Sequence, residues 1–198
     1  TLDYLKLIVK SIVGAICDTA DSLFVRFPQL KPELSRDVSF ITSQELEDMY
    51  PELTPKGREN EYLRAHHTAC IMQIGGALRS GKPHDGRAPD YDDWELNCDI
   101  FFWHNVLERA LEISSMGIRV DKESLLRQLK IEGKEEREQL YFHQQLLNDK
   151  LPLSIGGGIG QSRLCMVLLH KGHIGEIQAS IWPDDMRKEC KSLGMNLI

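Results

Sequence analysis

The chain has 198 residues, 41% of them hydrophobic and 27% charged, with a net charge of −6. That is the composition of a soluble globular domain, and it excludes a disordered segment. No apolar stretch is long enough to cross a bilayer, no cationic leader opens the chain, and no Lys/Arg cluster with interleaved aromatics offers a phosphate-neutralising face, so neither a membrane nor a nucleic-acid partner is expected.

Leu2, Leu5, Ile8, Val9, Ile12, Val13, Ile16 and Ala20 recur at three- and four-residue steps, which predicts an amphipathic helix ending near Phe27-Pro28, with Thr1 already inside it. Val38–Ile41 reads as a short strand. Thr42 with Glu45 forms a capping box for a brief helix through Met49, and Thr54 caps a polar helix to about His66. Ala69–Ile74 reads as a strand stopped by Gly75-Gly76. The stretch from Ala77 to Glu95 is broken by Gly81, Pro83, Gly86 and Pro89 and reads as a long charged loop, a kind that tends to carry function.

Two strands follow, Leu96–Trp103 and Arg109–Ile118, joined by a link short enough to predict an antiparallel pair. Asp121 caps a helix through Leu129, and a second helix covers about Glu135 to Leu147. Leu153-Ser154-Ile155 leads into a glycine-rich turn, followed by a helix carrying Leu164 and Met166–Leu169. A last strand is predicted around Ile177–Trp182, stopped by Pro183. Short strand-to-strand links with paired helices between them predict an α+β class, an antiparallel sheet flanked by helices, in a single domain over 1–198. Cys17, Cys70, Cys98, Cys165 and Cys190 have neither CxxC nor zinc spacing and read as reduced, mostly buried thiols of a cytoplasmic protein. The histidines show no ligand spacing and read as surface or capping residues.

The most informative segment is Ser154-Ile155-Gly156-Gly157-Gly158-Ile159-Gly160-Gln161-Ser162-Arg163-Leu164. Glycines between a strand and a helix allow positive φ and close approach of a ligand, and the helix N-terminus offers free N–H groups to a phosphate. A P-loop requires Gly-Lys-Ser/Thr where Gly160-Gln161-Ser162 stands, and G-x-G-x-x-G fails at Gln161 or Arg163. On these residues alone a packed turn and a nucleotide site are equally good readings. Arg163, in the first helical turn, can lie flat on a purine ring and reach a phosphate.

Gly158-x-Gly160-x-x-Arg163 at a strand-to-helix junction resembles the third motif of class II aminoacyl-tRNA synthetases. The strings from Gly86 to Trp94, from Leu111 to Val120 and from Ile155 to Arg163 are similar to those of ammonia-dependent asparagine synthetases (aspartate–ammonia ligases), which share that fold without using tRNA. The resemblance runs over essentially the whole chain, most densely from Gly75 to Pro183, as the C-terminal part of such a catalytic domain. It departs from the family pattern at Glu95, alone between Trp94 and Leu96 where a longer excursion is common. It also lacks any counterpart of the upstream interface motif and of the upstream ATP motif with its arginine for the α-phosphate.

The resemblance implies ATP-dependent amidation of L-aspartate by ammonia through a β-aspartyl-adenylate, with Mg²⁺, in an enzyme that is a homodimer at full length, and little activity for this part alone. It implies that Arg163 stacks on adenine and contacts phosphate beside Gly158 and Gly160. Asp99 and Glu112 would hold Mg²⁺ and nucleotide. Arg87, Asp92, Ser115 and Arg119 would line the aspartate pocket, with Arg163 and Arg119 the catalytic pair. Without the resemblance, Asp99 is a solvated strand end, Glu112 faces solvent, and the Arg–Asp residues are ordinary surface pairs. Two alternatives are an aspartyl- or asparaginyl-tRNA synthetase core and an inactive paralogue that serves as a binding module. The first is disfavoured by the acidic chain, the missing anticodon module and Gln161-Ser162, where those enzymes carry an acidic residue before the arginine. Preference for ammonia over glutamine is left open.

Overall fold

The computed structural model describes residues 1–198. Its elements are α1 (Leu2–Arg26), β1 (Ser39–Thr42), α2 (Ser43–Met49), α3 (Pro55–His66), β2 (Thr68–Met72), β3 (Asp92–His104), β4 (Arg109–Arg119), α4 (Lys122–Ile131), α5 (Tyr141–Leu147), β5 (Ile155–Ile159), α6 (Gln161–Leu168) and α7 (Asp184–Ser192). Three predicted caps are formed: the Thr42–Glu45 box, Thr54 accepting from the Gly57 amide, and Asp121 accepting from the Ser124 amide. Thr1 is the N-cap of α1 and not part of its first turn.

The strands form one sheet in the order β1-β2-β3-β4-β5. It is mixed and not purely antiparallel, since β1 runs parallel to β2. α2 and α3 lie between those two strands, and a crossover of that length brings the chain back in the same direction. Every other neighbouring pair is antiparallel.

One face of the sheet is covered along its length. Leu5, Val9, Val13, Ile16 and Cys17 of α1 and Val167 of α6 pack on Cys70, Met72, Cys98, Ile100, Phe102, Ile113 and Met116. The other face is covered on one side only: Leu46 of α2 and Tyr62 and Leu63 of α3 meet Ile41, Ala69, Ile71 and Phe101. α3 reaches only the Ala110 end of β4, and the rest of the β4–β5 half carries no such layer.

Several sequence expectations are corrected. Residues 177–182 form no strand. Three residues, Ile174–Glu176, make a 3-10 turn, and a helix that the sequence did not suggest, α7, follows Pro183. The predicted helix over 135–147 is split into a 3-10 turn (Glu135–Gln139) and α5, with extended Leu140 between them. The long loop ends at Asp92, because Asp92–Glu95 already belong to β3. His84, His104 and His143 are buried, while His173 does cap its turn, its ring accepting from the Gly175 amide. All five cysteines are free, and four of them are buried.

Candidate active site

The glycine segment is a strand. Gly156, Gly157 and Gly158 pair with Gly117, Met116 and Ser115 of β4. None of Gly156 to Gly160 has positive φ, so what these glycines supply is a missing side chain and not an unusual backbone. A Cβ on Gly156 would lie 2.4 Å from Nη2 of Arg119, and one on Gly157 would lie 2.5 Å from Cβ of Met116, on the opposite face. A Cβ on Gly158 would meet nothing within 4 Å. Gly156 thus leaves room for the Arg119 side chain to lie across β5, and Gly158 keeps the neighbouring floor open. Gly160 is the N-cap of α6, and its amide donates to the Ile113 carbonyl at 2.8 Å.

The open face is set by a fault in the β3–β4 ladder. Ile100 pairs with Ser114, but Phe101 pairs with Glu112, so Ile113 is an extra residue. Strict alternation would put Glu112 and Ser115 on opposite faces. The bulge turns Glu112 back onto the face that carries Ser115, Gly117 and Arg119, while Ile113 goes into the core under α1. Asp99 is the cross-strand partner of Ser115 and shares that face, as does Asp92 opposite Arg119.

Two ion pairs span this face. Arg119 Nη1 donates to Oδ1 of Asp92, and Arg87 Nη2, reaching in from the loop, donates to Oδ2 of Asp99. The Arg87 guanidinium also donates to the Gly86 carbonyl at 2.9 Å and to Asp85 at 3.2 Å. Both sheet carboxylates are buried, and each is pushed above the ordinary carboxylate range by desolvation, only partly offset by its arginine; the nearby Glu112 charge raises Asp99 further. Arg87 is pushed up in turn: burial opposes its charge, but the Asp99 carboxylate outweighs it. Oδ1 of Asp99 is buried and has no hydrogen-bond partner.

At the other end of the face, Arg163 in the first turn of α6 donates from Nη1 to the Glu112 carbonyl at 3.2 Å and lies 3.5 Å from its Oε1. The fold therefore brings Arg87, Asp92, Asp99, Ser115 and Arg119 into one cluster and Glu112, Gly160 and Arg163 into a second, with Gly158 opposite Ser115 between them. It does not put Arg119 and Arg163 together, because they stand at opposite ends of the face. Tyr91 joins the first cluster without having been picked out in the sequence. Arg119 Nη2 donates to its hydroxyl at 2.9 Å, and the guanidinium carbon lies 4.0 Å from its ring centroid. An aromatic next to the Asp92-Asp93 pair was the only available signal.

A sheet with one face layered by helices, and a half-open second face carrying paired arginines and carboxylates, defines a class: the fold is that of class II aminoacyl-tRNA synthetase catalytic domains. It is similar to an aspartyl-tRNA synthetase from Entamoeba histolytica (TM-score 0.60, 18% identity, 87% of this chain and 39% of that one). It is also similar to the asparaginyl-tRNA synthetase of the same organism in complex with asparaginyl-adenylate (TM-score 0.59, 15% identity, 86% of this chain and 42% of that one). The sequence is more specific. Residues 1–194 match the aspartate–ammonia ligase family, and the chain belongs to that family. Aspartate–ammonia ligases from Bacillus cereus (strain G9842) and Bacillus anthracis (strain A0248) are 55% and 54% identical to it over 197 residues. The chain spans 60% of the length of these relatives.

Proposed function

We propose that the protein carrying this chain makes L-asparagine from L-aspartate, ammonia and ATP, releasing AMP and pyrophosphate. The observation that supports this most is the pairing of Arg119 with Asp92 and of Arg87 with Asp99 around Ser115 on the open face. Two cations and two anions at fixed places complement an amino acid that bears one ammonium and two carboxylates. Its α-carboxylate takes donors from Arg119 and its ammonium replaces part of the Arg119 pairing at Asp92. Arg87 and the Ser115 hydroxyl orient the side-chain carboxylate.

The chemistry balances in two steps. A β-carboxylate oxygen attacks the α-phosphorus of ATP, and pyrophosphate leaves with the electron pair of the broken P–O bond. Ammonia then attacks the acyl carbon and gives up one proton to solvent, and AMP leaves with the electron pair of the broken acyl C–O bond. Arg163 would lie on the adenine ring and place a fixed positive charge near the phosphates, where negative charge moves. Asp99 and Glu112 suit Mg²⁺: both are hard oxygen donors, the Asp99 Oδ1 is buried without a partner, and Glu112 is half-buried beside it on the same face. When bound, Mg²⁺ would neutralise phosphate charge, with phosphates and water completing its coordination.

The setting we propose is cytoplasmic, in keeping with five free thiols, and the assembly a homodimer, to be read by sedimentation equilibrium. No helix is long and apolar enough to cross a membrane. The deciding assay supplies the full-length protein with ATP, Mg²⁺ and aspartate, then ammonia, glutamine or tRNA in separate reactions. Asparagine and AMP with ammonia and no tRNA support the proposal. Aspartyl- or asparaginyl-tRNA formation would replace it with the synthetase reading, and ATP binding without turnover with the binding-module reading.

A further inference from the structure

Gln128 lies in the apolar stripe of α4, between Leu125 and Leu129, and its side chain is fully buried. A glutamine at such a position costs free energy unless its amide is satisfied. Here it is satisfied on both sides, always by the backbone of one segment. The Trp94 amide donates to Oε1 at 2.9 Å, and Nε2 donates to the Pro89 carbonyl at 2.9 Å and to the Asp92 carbonyl at 3.1 Å. With one amide N–H to accept and two carbonyls to reach, only one orientation of the side chain fits.

This segment needs outside partners. The β3–β4 ladder loses register between Asp92 and Asn97, leaving the backbone in between without the cross-strand partners a regular strand would have. Gln128 grips both sides of the break, at the carbonyl of Asp92, the last residue in register, and at the amide of Trp94 within the unpaired stretch. On the other side of Asp92, the Tyr91 carbonyl accepts from the Val120 amide at 3.0 Å, which ties the chain to the end of β4 just past Arg119. Asp92 is held between a strand and a helix, with its carboxyl aimed at Arg119.

We infer that Gln128 is a positioning residue for amino-acid recognition: through the Asp92 backbone it fixes the Asp92–Arg119 pair, and so the affinity for L-aspartate. The inference rests on the proposed function. It predicts a split in the kinetics of the full-length protein. Gln128→Met keeps length and volume but removes three hydrogen bonds; it should raise the KM for aspartate by about tenfold or more and leave the KM for ATP within about twofold. Gln128→Glu keeps the acceptor for Trp94 and loses both donors. Its buried carboxyl regains one when protonated, so the ratio of its aspartate KM to that of wild type at the same pH should fall as pH is lowered.

Variants that melt earlier yet keep the wild-type aspartate KM would overturn the inference, since packing alone behaves that way. If Gln128→Met does not fold, the pH recovery of Gln128→Glu decides alone, and its absence counts against the inference. If the wild-type protein neither binds nor amidates aspartate, the functional reading has failed, and the positioning role is then decided by amide exchange. Selective loss of protection at Trp94 together with a changed environment for the Arg119 guanidinium upholds it, and an unchanged Arg119 overturns it.

Discussion

The two halves of the sheet are neighbouring parts of one continuous ladder and differ in what lies on them. The β1–β2 pair and the Ile100–His104 end of β3 are enclosed, with α1 on one face and α2 and α3 on the other, so Ile71 and Phe101 on one side and Cys70 and Phe102 on the other are all buried. The Asp92–Asp99 end of β3 belongs to the open face. The β4–β5 half is enclosed on the α1–α6 face alone, and its second face presents charge over glycine. In the first half a residue matters for the volume it fills. In the second it matters for where it holds a charge, or for leaving space. Substitutions should therefore separate cleanly into losses of stability and losses of binding.

The largest effect belongs to the enclosed half. Phe102 is fully buried between β2, β4 and α1, and Phe102→Ala should cost about 3–5 kcal/mol of unfolding free energy through lost burial and a cavity. Denaturant titration reads this directly; a loss below about 1 kcal/mol would mean that this half is not the rigid support of the site. On the open half, Arg119→Ala should weaken aspartate binding by roughly 10²- to 10³-fold, the usual cost of removing one member of a buried charge pair. Its unfolding loss should be smaller than that of Phe102→Ala, because the buried Asp92 carboxyl can take up a proton once its cation is gone. Arg119→Lys should not restore it, because an ammonium lacks the planar fork that reaches Asp92, Tyr91 and a carboxylate together.

The three consecutive glycines sharpen the comparison within a single strand. Gly157→Ala points into the enclosed face, against Met116 and the Ser115 backbone, and should destabilise by about 1–3 kcal/mol from overpacking. Gly156→Ala meets the far end of the Arg119 side chain, which can move, so stability should survive while the aspartate KM rises. Gly158→Ala meets nothing and should alter neither stability nor aspartate affinity, so that any effect appears in ATP binding. Equal melting losses in all three would erase the distinction between the faces.

The enclosed half was far more legible in sequence than the open one. The α1 stripe, the three caps and the β3–β4 pair follow from periodicity and local chemistry, which short-range physics sets. Arg163 falls in the first turn of α6, where the glycine pattern placed it. What stayed hidden depends on pairing between distant strands. The Ile113 bulge that brings Glu112 round to Ser115 has no local signature, and neither does the extended conformation of Gly156–Gly158, which is imposed by β4. Gln128 was visible only as a polar residue in an apolar stripe, and its partners lie across the fold on the loop before β3. The segment 177–182 alternates like a strand, yet it pairs with no strand of the sheet and stays irregular.

The open face also has its own response to pH. Asp92 and Asp99 are raised by burial, so their charged forms are disfavoured and they take up protons at a higher pH than an ordinary aspartate. Aspartate binding should accordingly weaken on acidification before the ordinary carboxylate range is reached, while the fold itself gains nothing from their ionisation. Calorimetric binding with an acid limb confined to the ordinary range would show that the site carboxylates are not those that bind.

Asp121 has the opposite sign and a smaller effect. Its carboxyl is held below the usual range, first by the Ser124 amide that it caps. A lowered pKa contributes stability that is present above the unfolded value and is lost as pH falls through the folded one. Asp121→Ala should therefore cost about 1 kcal/mol at neutral pH, the usual worth of an N-cap, and little at low pH, where wild type has lost the same interaction. α4 carries Gln128 two turns beyond this cap, so the substitution also tests how firmly the helix is held. If Leu125 and Leu129 anchor α4 by packing, the aspartate KM should move less than in Gln128→Met. An equal rise in KM would mean that the cap, and not the buried stripe, keeps the Gln128 amide against the backbone of Asp92.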